Sequence, residues 1–180
     1  MFNHEVNDHT YLRLLELRDS GTIFALVNES RDHLREWLPF VDRTRTVQEI
    51  EDFIRSGLQR FAAGNGAELG IWHSGELVGV LGLHYIDWPN RSTSLGYWLA
   101  EGFQGRGIMT QACRALIDVL FSDYELNRVE IEVAPENLRS RAIPERLGFQ
   151  NEGCRRQVER LDQQYLDHII YGLLARDWKD

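Results

Sequence analysis

The sequence predicts an α+β (mixed α/β) fold: one domain over residues 1–180, with a central, mostly antiparallel sheet of about six to seven strands flanked by helices. Three observations lead there. Segments whose apolar residues alternate with period two are interleaved with segments of period 3.6. In the middle of the chain three β-rich runs follow one another with only short turns between them, His73-Ser74-Gly75-Glu76 and Trp88-Pro89-Asn90. An apolar share of 43% in 180 residues is enough for one sizeable core.

Taken in order, Tyr11 to Leu15 reads as the first strand. Asp19 to Asn28 reads as a short helix, and Arg31 to Leu38 as a second that Pro39 stops. Thr46-Val47-Gln48-Glu49 has the capping-box pattern, and Val47, Ile50, Ile54, Leu58 and Phe61 recur behind it at helical spacing until Gly64-Asn65-Gly66. Leu69 to Trp72, Leu77 to Ile86 and Ser92 to Ala100 form the antiparallel meander. Met109, Ala112, Cys113, Leu116 and Leu120 then make one apolar helical stripe. Arg128 to Val133 alternates as a strand, Asn137 to Leu147 is partly helical, and Gly148 ends it. Gln150 to Val158 and Tyr165 to Leu174 close the fold as a hairpin around Asp162-Gln163-Gln164.

Composition excludes several function classes. A net charge of −8 disfavours nucleic acid as a partner and favours cationic ones such as amines. No apolar run reaches the ~18 residues of a membrane span. The start, Met1 to Val6, has no basic region followed by an apolar stretch, so no secretory signal is expected. Two cysteines, Cys113 and Cys154, lack metal-ligand spacing, which points to a reduced, cytoplasmic protein with no metal.

The most informative segment joins the strand Leu95 to Leu99 to the following helix. It carries Gly102, Gly105 and Gly107, which let the backbone turn sharply and approach a ligand. The first turn of the helix offers unpaired N–H groups and the positive end of its dipole, a setting for phosphate. Arg106 is placed to add a charge-assisted bond. The loop is neither G-x-G-x-x-G nor a Walker A loop, so dinucleotides and nucleoside triphosphates lose ground.

Gly96-Tyr97-Trp98-Leu99-Ala100 followed by Gln104-Gly105-Arg106-Gly107-Ile108-Met109-Thr110 resembles the acetyl-CoA motif of the GNAT superfamily, Gln/Arg-x-x-Gly-x-Gly/Ala. Met109 in the last place is similar to the RimJ/RimL branch, the ribosomal-protein N-terminal acetyltransferases. A second block, Asn137-Leu138-Arg139-Ser140 and Glu145-Arg146-Leu147-Gly148-Phe149, resembles the family's Asn-x-x-Ser…Glu-Lys-Leu-Gly-Phe. Matches run from about Leu12 to Trp178. The resemblance implies acetyl-CoA as cosubstrate, with backbone groups of Trp98 and Leu99 on the pantetheine arm and residues 105 to 110 around the pyrophosphate. It also implies direct attack by an amine in a ternary complex.

Where many GNAT enzymes carry a Tyr seven residues after the motif Asn, this chain has Pro144, which has no donor. Ser140 is the substitute acid for the leaving thiol, whose reference pKa of ~8.5 asks for no strong acid. Asn137 is assigned to a pantetheine amide. His84 is the candidate base, with Glu68, Glu101 and Glu132 as further candidates. A backbone N–H near Leu99 meets the oxyanion, by analogy with the family. Trp37 and Phe40, in an unusually aromatic stretch, are assigned to the acceptor pocket.

A peptide α-amine, with a reference pKa of ~7.7–8.0, is roughly a tenth neutral at pH 7, so a weak base suffices. The RimJ/RimL resemblance implies a protein N-terminus of ribosomal type as the acceptor expected first. The alternative is a small amine: a peptide-type antibiotic, an amino-nucleotide, an aminoglycoside or a polyamine. A non-enzymatic CoA-binding module stands third. A homodimer in which Tyr165 to Leu174 pairs across the interface is a family-level expectation.

Overall fold

A computed structural model describes residues 3–178, so Met1, Phe2, Lys179 and Asp180 lie outside the described residues. The strands are β1 (Asn3–Asn7), β2 (Thr10–Leu14), β3 (Ala67–His73), β4 (Glu76–Asp87), β5 (Ser92–Leu99), β6 (Arg128–Val133), β7 (Gln150–Leu161) and β8 (Gln164–Leu174). The helices are α1 (Ser20–Glu29), α2 (Arg31–Leu34), α3 (Phe40–Arg43), α4 (Val47–Ala62), α5 (Ile108–Ser122) and α6 (Leu138–Arg146). All eight strands form one sheet in the order β1-β2-β3-β4-β5-β6-β8-β7. Only β5 and β6 run parallel; every other neighbouring pair is antiparallel.

The eighth strand, β1, goes beyond the six to seven expected. Its sequence, Asn-His-Glu-Val-Asn, holds one apolar residue and is half-exposed or exposed throughout. As an edge strand it is held by ladder hydrogen bonds to β2 and needs no apolar face.

The helix expected over Arg31 to Leu38 is instead two separate turns. α2 ends at Leu34, and Pro39 stands at the N-cap of α3 rather than after a helix end. Proline's fixed φ suits a helix start. The Arg31 guanidinium ties the two turns together by donating to the carbonyl oxygens of Val41 and Thr44, the latter at 2.8 Å. The capping box of α4 forms: Glu49 Oε2 accepts from the Thr46 N–H at 2.7 Å.

Each face of the sheet has its own core. α5 and α6 cover one face, over Leu69, Leu81, Leu95 and Val129. α1 and α4 cover the other, with Ile23, Val27, Ile50 and Ile54 on Trp72 and Val80. That second cover stops short of β5, which leaves one flank of the sheet open. β8 is bonded on both sides from Ile169 to Gly172, to β6 and to β7, while β7 is the sheet edge. The Tyr165 to Leu174 strand is therefore interior to the sheet over Ile169 to Gly172, with β7 beside it from Tyr165 to His168.

The parallel pairing of β5 with β6 covers only Ser92–Leu95 against Arg128–Ile131. Beyond it β5 stays with β4 while β6 stays with β8, so the two strands part. A wedge opens at their C-terminal ends, the end from which the connections to α5 and α6 leave.

Candidate active site

The wedge is part of one cleft of about 2210 Å³ that runs from the start of α5 to the α2–α3 segment. At the α5 end, Gly105 and Gly107 both have left-handed backbones, φ 73° and 76°. Gly107 is the N-cap of α5, and the first helical bond runs from Gln111 N–H to Gly107 O, 3.0 Å. The amides of Ile108, Met109 and Thr110 precede it and point out of the helix end. The Met109 side chain is 5% exposed and packs into the core, so at this position the loop offers backbone. Arg106 is turned away: its guanidinium donates to Gly102 O at 2.8 Å and lies 5.4 Å from the Phe103 ring centroid. Gln104 bridges the cleft mouth, meeting His33 Nε2 at 2.5 Å and accepting from Arg139 Nη1 at 3.1 Å.

The strand wall of the wedge follows from alternation. Ala100 N–H bonds Val78 O at 2.9 Å, so residue 100 faces β4. Backbone groups alternate along a strand, so Leu99 and Tyr97 turn theirs toward the wedge and Trp98 turns its own toward β4. Gln104 Nε2 lies 3.5 Å from Leu99 O, on that wedge side.

Side chains alternate in the same way. Tyr97 points to the α6 face, where its hydroxyl donates to Ser140 O at 3.1 Å. Ser140 Oγ lies 3.4 Å from the phenol oxygen. Asn137 caps α6, its carboxamide oxygen accepting from Ser140 N–H at 3.1 Å. That oxygen is thus engaged within the helix end, leaving the NH₂ for any ligand amide.

Trp98 points to the opposite face, where Phe40 packs on it with ring centroids 6.5 Å apart. Trp37 and Phe40 both line the cleft and are half-buried. His84 lies on this face too, over Gly96: a Cβ at residue 96 would collide with the imidazole. The ring reaches solvent in the cleft, yet the protein around it holds its pKa below the ordinary value, chiefly by desolvation and then by the Arg60 charge.

Glu68 occupies a similar notch over Gly82, buried at 7% exposure and ion-paired to Arg60. Burial pushes its carboxyl up to about 7 against the pull of Arg60. Glu132 joins a chain along the open flank, accepting from Arg155 Nη1 at 2.7 Å and facing His168 Nδ1 at 3.5 Å. His168 Nε2 meets Glu159 at 3.2 Å, and that bond raises the His168 pKa. Glu101 is exposed beside the cleft, its N–H bonded to Ser30 Oγ at 3.1 Å.

The glycine pair with φ > 0, the free amides of α5 and the opened strand wall suit a long ligand with a pyrophosphate and an amide-bearing arm. Residues 9–150 match the family described as "Acetyltransferase (GNAT) domain". The chain belongs to the GNAT acetyltransferase family. It is 39% identical over 180 residues to "Putative ribosomal N-acetyltransferase YdaF" of Bacillus subtilis (strain 168), covering 99% of this chain and 98% of that one. It is 29% identical over 150 residues to the ribosomal-protein-serine acetyltransferase of Escherichia coli (strain K12), covering 83% and 84%. A solved RimL ribosomal L7/L12 alpha-N-protein acetyltransferase in complex with coenzyme A superposes with a TM-score of 0.94 at 26% identity, covering 98% and 99%. The protein is an N-acetyltransferase of the RimL/RimJ type, with acetyl-CoA as the cosubstrate that fits this family.

Within this GNAT domain the cleft gathers His84, Trp98, Leu99, Gln104, Asn137 and Ser140, with Trp37 and Phe40 at its far end. Arg106 is the expected site residue whose side chain lies outside it. Tyr97, His168 and Glu159 also line the cleft, and no sequence motif marks them as site residues. Alternation on β6 and β8 places Glu132 and His168 on one face, a signal that needs the β6–β8 pairing to become visible. Glu159 needs more. β7 slips register between Arg155 and Glu159, Gln157 takes φ 51°, and its N–H bonds Asp167 Oδ1 at 2.7 Å. Such a bulge re-aims the side chains beyond it.

Proposed function

We propose that this GNAT enzyme acetylates the α-amine of a protein N-terminus, of the ribosomal-protein type that its relatives' names carry. One observation supports this above the others: Ser140 and His84 flank the wedge from opposite faces of the sheet, with Leu99 between them. Acetyl-CoA supplies an acetyl group activated as a thioester. The amides of residues 108 to 110 and the left-handed turns at Gly105 and Gly107 hold the pyrophosphate. The NH₂ of Asn137 and the wedge-facing groups of Leu99 hold the arm, and the Leu99 N–H meets the oxyanion.

On the α1/α4 face His84, kept neutral at pH 7, accepts a proton from the acceptor nitrogen. A peptide α-amine with a pKa of ~7.7–8.0 makes small demands on that base, whereas a Lys side chain near ~10.4 makes far larger ones. Trp37 and Phe40 flank the acceptor's first residue. On the α6 face the Ser140 hydroxyl donates to the departing sulfur. Because the neutral imidazole is the working form, its lowered pKa moves the acidic limb of kcat/KM below that of an ordinary imidazole; His84→Gln removes that limb.

The deciding measurement is thiol release with acetyl-CoA and a panel of acceptors: free N-terminal peptides, N-terminally blocked Lys peptides, and small amines including aminoglycosides and polyamines. Free N-terminal peptides are expected to turn over fastest. A preference for non-peptide amines overturns the acceptor assignment, and absence of acetyl-CoA binding at millimolar concentration overturns the whole reading.

A further inference from the structure

In an uninterrupted α-helix the carbonyl of residue 140 accepts from the amide of residue 144. Here residue 144 is proline, inside α6, and has no amide hydrogen. The Ser140 carbonyl is thus left without its helical donor in a half-buried place, where an unmet acceptor is costly. The donor comes from another element: the Tyr97 hydroxyl, 43 residues away in sequence, donates to that carbonyl at 3.1 Å. With its proton so directed, the phenol oxygen presents its lone pairs to Ser140 Oγ, 3.4 Å away. The Asn137 cap on Ser140 N–H holds the same residue from its other side.

We infer that Tyr97 and Pro144 form one positioning device for the Ser140 hydroxyl: the proline frees the Ser140 carbonyl, and the Tyr97 hydroxyl, drawn to that carbonyl, sets an acceptor beside Ser140 Oγ. The inference rests on Ser140 being the donor to the departing thiol. The Oγ–Oη contact is at the long limit of a hydrogen bond, so it orients the hydroxyl yet releases it readily toward sulfur. Tyr97 itself keeps its proton. Burial raises its pKa well above the ordinary value, and that proton is engaged by the Ser140 carbonyl. Tyr97 is therefore a positioning residue and not the acid.

The test is steady-state kinetics across pH on Ser140→Ala, Tyr97→Phe, the double variant and Pro144→Ala. Tyr97→Phe is expected to lower kcat about tenfold, the worth of one oriented hydrogen bond, with KM for acetyl-CoA within about threefold. The double variant is expected to be no slower than Ser140→Ala alone, and the alkaline limb of the Tyr97→Phe profile to stay where it is. Pro144→Ala returns an amide to the Ser140 carbonyl in competition with Tyr97, and is expected to lower kcat several-fold without loss of thermal stability. An unchanged kcat in Tyr97→Phe, additive losses in the double variant, or a lost alkaline limb overturns the inference. If Tyr97→Phe does not fold, an unchanged kcat in Pro144→Ala overturns it. An unchanged rate in Ser140→Ala instead overturns the assignment of Ser140, a separate outcome.

Discussion

α5 and α6 both begin at the wedge, and their first turns are built in opposite ways. α5 starts at a left-handed glycine with no side chain over its amides, so its N-terminal donors face the cleft. α6 starts at Asn137, whose side chain takes an N–H of the first turn, and its interior proline then frees a carbonyl instead. One helix end thus presents donors and suits an anion. The other presents a hydroxyl held from both sides. The helix dipole is common to the two; which backbone group lacks a partner decides what each can do.

That contrast breaks most visibly at Ser140. Ser140→Ala is expected to lower kcat about 100-fold, at the low end of general acid–base effects, while the Kd of acetyl-CoA measured by calorimetry stays within about twofold. The mirror-image result belongs to α5. Gly107→Val forces a side chain into a left-handed backbone at a strain of about 1–2 kcal/mol. It is expected to weaken acetyl-CoA roughly tenfold while kcat at saturating cofactor changes little. If both variants move the same parameter, the division of labour between the helices is wrong.

Two smaller effects sharpen it. Glu68 has a folded pKa raised to about 7, so the folded state binds its proton more tightly than the unfolded chain does. Its contribution to stability is full below pH 4.5 and is lost as pH rises through 7. Glu68→Gln is expected to flatten urea-denaturation stability over that window; a wild-type curve that rises with pH there, and flattens equally, contradicts it. Asn137→Ala removes the α6 cap and is expected to cost about 1 kcal/mol, read as a lower urea midpoint at unchanged slope.

How much was legible depended on the range of the interaction. The Gln104 to Thr110 loop was readable because its chemistry is local: left-handed glycines and a helix start lie within seven residues. Seven of the eight strands announced themselves by alternation, whereas β1 did not, because an edge strand with one apolar residue is held by backbone bonds that leave no trace in composition. The break at Leu34 was missed for a related reason. Pro39 was read as a stop, but the Arg31 guanidinium, reaching carbonyls 10 and 13 residues away, makes it a start.

Ser140 is proposed from its motif, and Pro144 stands out in the sequence as a missing tyrosine. That the missing donor's consequence is met by Tyr97 was hidden, because Gly96-Tyr97-Trp98 reads as a cofactor strand and nothing in its spacing points at α6. His84 over Gly96 and Glu68 over Gly82 were hidden in the same sense, since each notch exists only where a neighbouring strand brings a side chain over a glycine, Glu68 from directly opposite Gly82 and His84 diagonally over Gly96.

By itself, then, the sequence determined most of the elements, the glycine turn before α5, the α6 motif and the family, because propensity, glycine φ and helix capping act within a few residues. The tertiary structure alone decided where β5 leaves β6, which face of the sheet each candidate residue occupies, and which partner holds Ser140. Those depend on strand order and register, and a side chain's partner across a sheet is set by that register and not by its neighbours in the chain.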